Sequence, residues 1–169
     1  MPYQVNDPVV HPAHGVGRVA ALVMQSFFDS EARLYYEVAI QHNTVWVPVD
    51  TGAASGLRLV TSKAELARYR RILRSKPVPL IPDSRQRHLE LQVRLKPGLF
   101  QTLCEVIRDL TAQRWRKPLN EMDARTYRRN YASLCLEWAT ADGVSLQEAT
   151  QEIEALLLEG RHAFENPAP

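Results

Sequence analysis

Apolar positions in the first 60 residues fall into short runs: Val9-Val10, Val16 to Val23, Tyr35 to Ile40, and Val45 to Val49. Turn formers separate them: Pro12, Gly15 and Gly17, then Asp29-Ser30, then His42-Asn43, then Gly52 and Gly56. Short β-branched runs divided by turns predict a small antiparallel barrel or sheet. His42-Asn43 is expected to make a tight hairpin, because Asn tolerates positive φ. Gly15 and Gly17 are expected to allow a sharp bend or a close backbone approach. Asp29-Ser30-Glu31 reads as a hairpin tip rather than an acid/base pair.

After residue 60 the apolar period becomes helical. Ser62-Lys63-Ala64-Glu65 has capping-box spacing and opens a helix with Leu66, Tyr69, Ile72 and Leu73 on one side. That helix should end before Pro77. Pro77-Val78-Pro79-Leu80-Ile81-Pro82 predicts a stiff, extended connector. Residues 84–95 are ambiguous, since Leu89, Leu91, Val93 and Leu95 alternate as in a strand. The good helix formers among them, and helical neighbours on both sides, favour a helix. Beyond the break at Pro97-Gly98, Leu99, Leu103, Val106, Ile107 and Leu110 predict an amphipathic helix. After Pro118 a further helix carries Met122, Tyr127, Tyr131, Leu134 and Trp138, closed by Asp142-Gly143. Ser145 to Glu148 is a second capping box, opening a last helix through Ile153, Leu156 and Leu157. The final residues, 166–169, are expected to fray.

Composition changes this picture little. The chain has 169 residues, is 45% hydrophobic and 24% charged, and has no apolar run near the length of a membrane span. Cys104 and Cys135 stand in apolar helical patterns, as expected of reduced, buried thiols in a cytosolic protein. Charge is more telling, because the net +2 conceals an asymmetry. Residues 1–60 hold 3 Lys/Arg and 5 Asp/Glu; residues 61–129 hold 17 and 7; residues 130–169 hold 1 and 7. A middle segment at +10 suggests a polyanionic partner or a solvated arginine-rich surface. Charge alone does not separate DNA, RNA and an acidic protein face.

Catalytic patterns are absent. Gly15-Val16-Gly17 lacks the further glycine, the helix and the Lys-Ser/Thr of a phosphate loop. No nucleophile elbow occurs. His11 and His14, with Asp7 nearby, are the candidate metal ligands, but zinc requires further convergent donors. No catalytic residue, metal or cofactor is assigned, and an enzyme is not expected.

Val5-Asn6-Asp7-Pro8-Val9-Val10-His11-Pro12-Ala13-His14-Gly15-Val16-Gly17-Arg18-Val19 resembles the opening signature of the CarD/CdnL proteins, shared with a domain of the transcription-repair coupling factor. Tyr35-Tyr36-Glu37-Val38, Val45-Trp46-Val47-Pro48-Val49 and Gly56-Leu57-Arg58 are similar to family segments in order and spacing. Glu105-Val106-Ile107-Arg108-Asp109-Leu110 resembles a family helix, and Leu119 to Glu137 another. The resemblance spans about residues 3–160 and rests on the ordered set of segments.

The resemblance implies an α+β protein. A Tudor-like (SH3-like) antiparallel β-barrel at 1–60 would bind RNA polymerase, and an all-α domain of about five helices at 61–165 would bind DNA. Such a protein is expected to bind the polymerase β subunit strand against strand and to contact double-stranded promoter DNA, modulating open-complex stability. It would be cytoplasmic, nucleoid-associated and monomeric, with no membrane partner. The implied polymerase-binding residues are Gln25, Val45, Trp46, Val47 and Pro48. Trp46 either faces the polymerase or packs into the barrel's own core. Gln25 stands where the family often has Arg. The implied DNA-binding residues are Ser84, Arg85, Arg87, His88, Arg125, Arg128 and Arg129. Ser84 departs from the family, which has at that place a Trp that wedges into the minor groove. Serine cannot hold a base step open. Nothing else bulky is expected close to it, which leaves phosphate contacts. The alternative function is a polymerase-bound adaptor whose basic helical face meets an acidic protein.

Overall fold

A computed structural model describes residues 2–51 and 54–165. Gly52 and the tail 166–169 lie outside the described residues. The chain divides into two compact units, Met1–Val60 and Thr61–Pro169.

The first unit is an antiparallel sheet of β1 (Pro8–His11), β2 (Gly15–Gln25), β3 (Arg33–Ile40), β4 (Asn43–Pro48) and β5 (Arg58–Leu59), in the order β4-β3-β2-β1-β5. It is the expected Tudor-like fold, but among the described residues no β4–β5 ladder closes the sheet, so β4 and β5 are its edges. A register shift between Val19 and Ala21 interrupts the β2–β3 ladder, the kind of bulge that adds curl to a sheet. The curled face encloses Tyr3, Val9, Val19, Tyr36, Val38, Ile40, Val47 and Leu57. Tyr3 Oη closes this core by donating to the Leu57 carbonyl at 2.5 Å.

Gly17 is required by packing. A Cβ there would stand 2.5 Å from both the Ala39 carbonyl oxygen and Ile40 Cγ1. Gly15 is required by conformation, with φ of +91° at the start of β2. The β3–β4 hairpin differs from expectation. Ile40 pairs with Asn43, so the loop is Gln41-His42, and Gln41, not Asn43, takes positive φ (54°). Asn43 is instead the first ladder residue of β4.

The second unit contains α1 (Leu66–Arg74), α2 (Ser84–Leu95), α3 (Phe100–Arg116), α4 (Glu121–Asp142) and α5 (Leu146–Glu165). The Ser62–Glu65 capping box is reciprocal: the Glu65 amide donates to Ser62 Oγ at 3.2 Å, and the Ser62 amide to Glu65 Oε2 at 3.1 Å. It closes a tight turn just ahead of α1. The second box is only half reciprocal. The Glu148 amide donates to Ser145 Oγ, but that hydroxyl, not the Ser145 amide, donates to Glu148 Oε1. Gly143 ends α4 in the left-handed conformation (φ 71°), as the Asp-Gly pair predicts.

The helical core joins Leu66, Tyr69 and Leu73 of α1, Leu103, Val106, Ile107 and Leu110 of α3, Leu134 and Trp138 of α4, and Ile153, Leu156 and Leu157 of α5. Leu99 and Met122, expected on these apolar faces, are exposed; Leu99 is the residue preceding α3. A Cβ on Gly160 would come within 3.0 Å of the Arg74 carbonyl oxygen, so α5 and α1 cross with backbone close to backbone. α2 is the outlying helix, with only Arg87 and Leu91 buried.

The proline-rich connector is pinned from both sides. Asp109 Oδ1 accepts from the Val78 amide and from Arg108 Nε, both at 2.9 Å, while Arg108 Nη1 donates to Ser75 Oγ at 2.7 Å. Arg87 Nη1 donates to the Ile81 and Pro82 carbonyls at 2.9 and 3.1 Å. Arg108 and Asp109 of the Glu105–Leu110 segment therefore act structurally, holding an extended segment that has few backbone partners of its own.

Candidate functional site

Two surfaces collect the residues singled out in the sequence. On the first unit it is the outer face and free edge of β4. Alternation along the strand turns Val45 and Val47 toward the core, with Val47 2% exposed, and turns Trp46 outward at 42% exposed. Trp46 is therefore not a core residue. It stands opposite Glu37 of β3, and Pro48 stands opposite Tyr35. Val23 and Gln25 of β2 continue this face, paired with Tyr35 and Arg33. Phe27 folds over it, its ring 5.1 Å from Tyr35 and 5.8 Å from Trp46. The face is an aromatic patch beside an edge whose outer ladder positions have no partner strand within the sheet.

On the second unit the surface is cationic. Ser84 and Arg85 are exposed in the first turn of α2. The cap of this helix is Asp83, whose Oδ1 accepts from the Gln86 amide at 2.8 Å; Ser84 is the first helical residue and carries no capping bond. Arg125, Arg128 and Arg129 share the exposed face of α4 at i, i+3, i+4 spacing. Glu121 lies 3.7 Å from Arg125 and 3.6 Å from Arg128, and so shields them in part; Arg129 has no ion pair among the described residues.

Arg87 corrects the sequence reading. It is buried, with Nε and Nη2 donating to Asp123 Oδ2 at 3.0 and 2.7 Å and Nη1 spent on the connector carbonyls. Four of its five N–H donors are thus used inside the protein, and it cannot reach a phosphate without unfolding its surroundings. Its effect is positional: the pair ties the first turns of α2 and α4 together. His88 is half-buried, and its Nδ1 lies buried without a hydrogen-bond partner.

Three cations were missed in the sequence. Arg114, Arg116 and Lys117 are exposed just before α4, and the Arg114 guanidinium lies 4.6 Å from the centre of the Tyr127 ring. The signal was the Arg114-Trp115-Arg116-Lys117 run ahead of Pro118. Leu89 and Val93 of α2 stand 60% and 72% exposed, but on a different stripe of the helix from Ser84.

His11 and His14 do come together, with ring centroids 4.8 Å apart, and His11 Nδ1 accepts from the Ala13 amide. Partial burial, and then the neighbouring His14, lower the His11 pKa. Among the described residues no group of three or more His, Cys, Asp and Glu is placed to hold a metal ion. No helix among them is long and apolar enough to cross a membrane.

A Tudor-like unit with an open aromatic edge, followed by a helical unit with a cationic surface, makes a protein of two units rather than a single compact domain. Residues 3–60 match the model of the CarD-like/TRCF RID domain, and residues 69–154 match the model of the CarD C-terminal domain. The chain belongs to the CarD family and is a transcription regulator. It is similar to a protein of Bacillus subtilis (strain 168) described as "Putative transcription factor YdeB", with 26% identity over 144 residues, covering 85% of this chain and 94% of the relative.

Proposed function

We propose that this regulator is non-enzymatic and acts at initiation, docking on the β subunit of RNA polymerase through β4 while its helical unit holds promoter DNA by the phosphates. The observation that carries the reading is the free β4 edge with Trp46 turned outward beside it. A strand added to that edge would complete the open ladder through main-chain hydrogen bonds, and the Trp46–Phe27–Tyr35 patch would supply side-chain selectivity. Interfaces favour aromatic residues of this kind.

Arg85, Arg125, Arg128 and Arg129 support the DNA half, with Arg114, Arg116 and Lys117 extending the surface. Such cations fix position on a duplex without reading its sequence. Held on polymerase near the melted region, they would stabilise the open complex, favouring promoters limited by melting and hindering those limited by escape.

The test is Trp46→Ala in the full chain. Polymerase capture should be lost, while affinity for duplex promoter DNA stays at the wild-type value. Undiminished capture would remove Trp46 from the interface.

A second reading is an adaptor whose basic helical surface meets an acidic protein and not DNA. Ser84 in place of a wedge and the withdrawal of Arg87 favour it. Footprinting of an open complex with and without the protein separates the two, since an adaptor adds no DNA protection.

A further inference from the structure

Phe28 is the most exposed large apolar side chain among the described residues, with its ring fully in solvent. It and Asp29 form the centre of the β2–β3 turn with φ of 53° and 58°, closed by the Ser30 amide donating to the Phe27 carbonyl at 3.1 Å. Left-handed φ is uncommon for any residue but Gly, Asn and Asp, and an outlier for a bulky one. Two serines brace the turn: Ser30 Oγ donates to the Phe27 carbonyl at 2.6 Å, and Ser26 Oγ donates to the Ser30 carbonyl. Backbone strain and a bare phenyl ring thus meet at one residue, and a ring that covers no surface returns nothing to the fold. Strain held in place by its surroundings is a mark of functional segments.

The neighbouring side chains indicate the occupant. Phe27 turns back onto Tyr35 and Trp46, so the aromatic patch beside the β4 edge reaches the residue that precedes Phe28 in the chain. Around the ring, Asp29 and Glu31 are exposed and have no ion pair among the described residues, whereas Arg33 is neutralised by Asp50 at 2.5 Å. An acidic collar repels nucleic acid and anionic lipid and fits a protein surface rimmed with Lys or Arg.

We propose that Phe28 is an anchor that plugs into an apolar, basic-rimmed pocket on the polymerase subunit that receives β4. The proposal rests on the polymerase reading above and extends that interface from the strand edge to the hairpin tip. The experiment measures binding of full-length variants to purified bacterial core RNA polymerase, together with their melting temperatures. Phe28→Asn removes the ring and supplies a residue that accepts left-handed φ. Its affinity should fall about ten- to a hundredfold, the equivalent of one buried Phe side chain, while its Tm stays level or rises. Phe28→Trp should restore most of the binding. Wild-type affinity of Phe28→Asn, with binding lost in Trp46→Ala, would overturn the anchor and leave the edge-strand interface standing. A lowered Tm of Phe28→Asn would also overturn it, since the ring would then belong to the fold. No binding of wild-type protein to core polymerase would overturn both readings.

Discussion

Replacing Arg87 by alanine is expected to destabilise the helical unit without changing how steeply DNA binding depends on salt. Arg87 and Asp123 have side chains only 10% and 3% exposed, and the guanidinium makes two bonds to one carboxylate oxygen and two to connector carbonyls. Removing the cation leaves the Asp123 carboxylate buried without its counter-charge, a change that costs about 3–5 kcal/mol. At about 4 °C per kcal/mol for a unit of this size, Tm should fall by roughly 12–20 °C. The connector carbonyls add less, because Ile81 is only half-buried and Pro82 exposed, so water can replace the lost donors. Arg87→Met combined with Asp123→Leu removes both charges and should recover roughly 2–3 kcal/mol of the loss. Circular-dichroism melts supply these values, and fluorescence anisotropy on duplex promoter DNA at several salt concentrations supplies the slope. Arg85→Ala is the control: exposed and without an ion pair among the described residues, it should leave stability within about 0.5 kcal/mol of wild type and shallow the salt slope by about 0.9. An Arg87→Ala protein with wild-type Tm and a shallower slope would refute the structural assignment and return Arg87 to the phosphate contacts.

Gly17→Ala should destabilise the first unit by about 1–3 kcal/mol or more, because the new methyl meets the Ala39 carbonyl and Ile40 at 2.5 Å; a melt indistinguishable from wild type would show that the strands can part. Burial, reinforced by the Glu137 and Glu105 carboxylates, pushes the Cys104 thiol well above its ordinary range. Cys104 should therefore resist a thiol reagent at pH 8 in the native protein and react once denatured; rapid native labelling counted by mass spectrometry would contradict its burial. Ser84→Trp places a bulky apolar residue on the exposed first turn of α2. Open-complex lifetime should rise sharply if this turn faces the melted edge, and an unchanged lifetime would place the helix elsewhere.

The elements were legible because each depended on neighbours in the chain. Runs of Val and Tyr with turns between them sufficed for the sheet, and capping boxes at Ser62 and Ser145 marked helix starts. Side-chain roles depended on partners far along the chain, and there local pattern misled. Asn43 looked like the hairpin's left-handed residue, but strand register gave that place to Gln41. Leu99 and Met122 have the right type and spacing for core residues, yet they stand at helix starts where no neighbouring helix covers them. Trp46 was undecided in the sequence, and alternation settled its direction once Val47 was fixed in the core.

Arg85 and Arg87 show why the cationic surface was only half legible. They are two positions apart on one helix, about 200° around its axis, so they belong to different stripes. One stripe runs through Arg87 and Leu91 into the interior; the other runs through Arg85, Leu89 and Val93 toward solvent. Composition cannot rank the two stripes, because Leu89 and Val93 are as apolar as Leu91. Asp123 decides the matter, 36 positions away, as the carboxylate that makes burial of Arg87 tolerable. Arg108 is withdrawn in the same way by Asp109. The balance of +10 over residues 61–129 survives both withdrawals, because each buried arginine takes one aspartate with it. The cationic balance of this segment was therefore readable from the sequence. On the proposed DNA-binding reading, the number of phosphates such a surface could neutralise, which would set the salt slope, depends on individual exposed cations and is smaller than a count of arginines suggests.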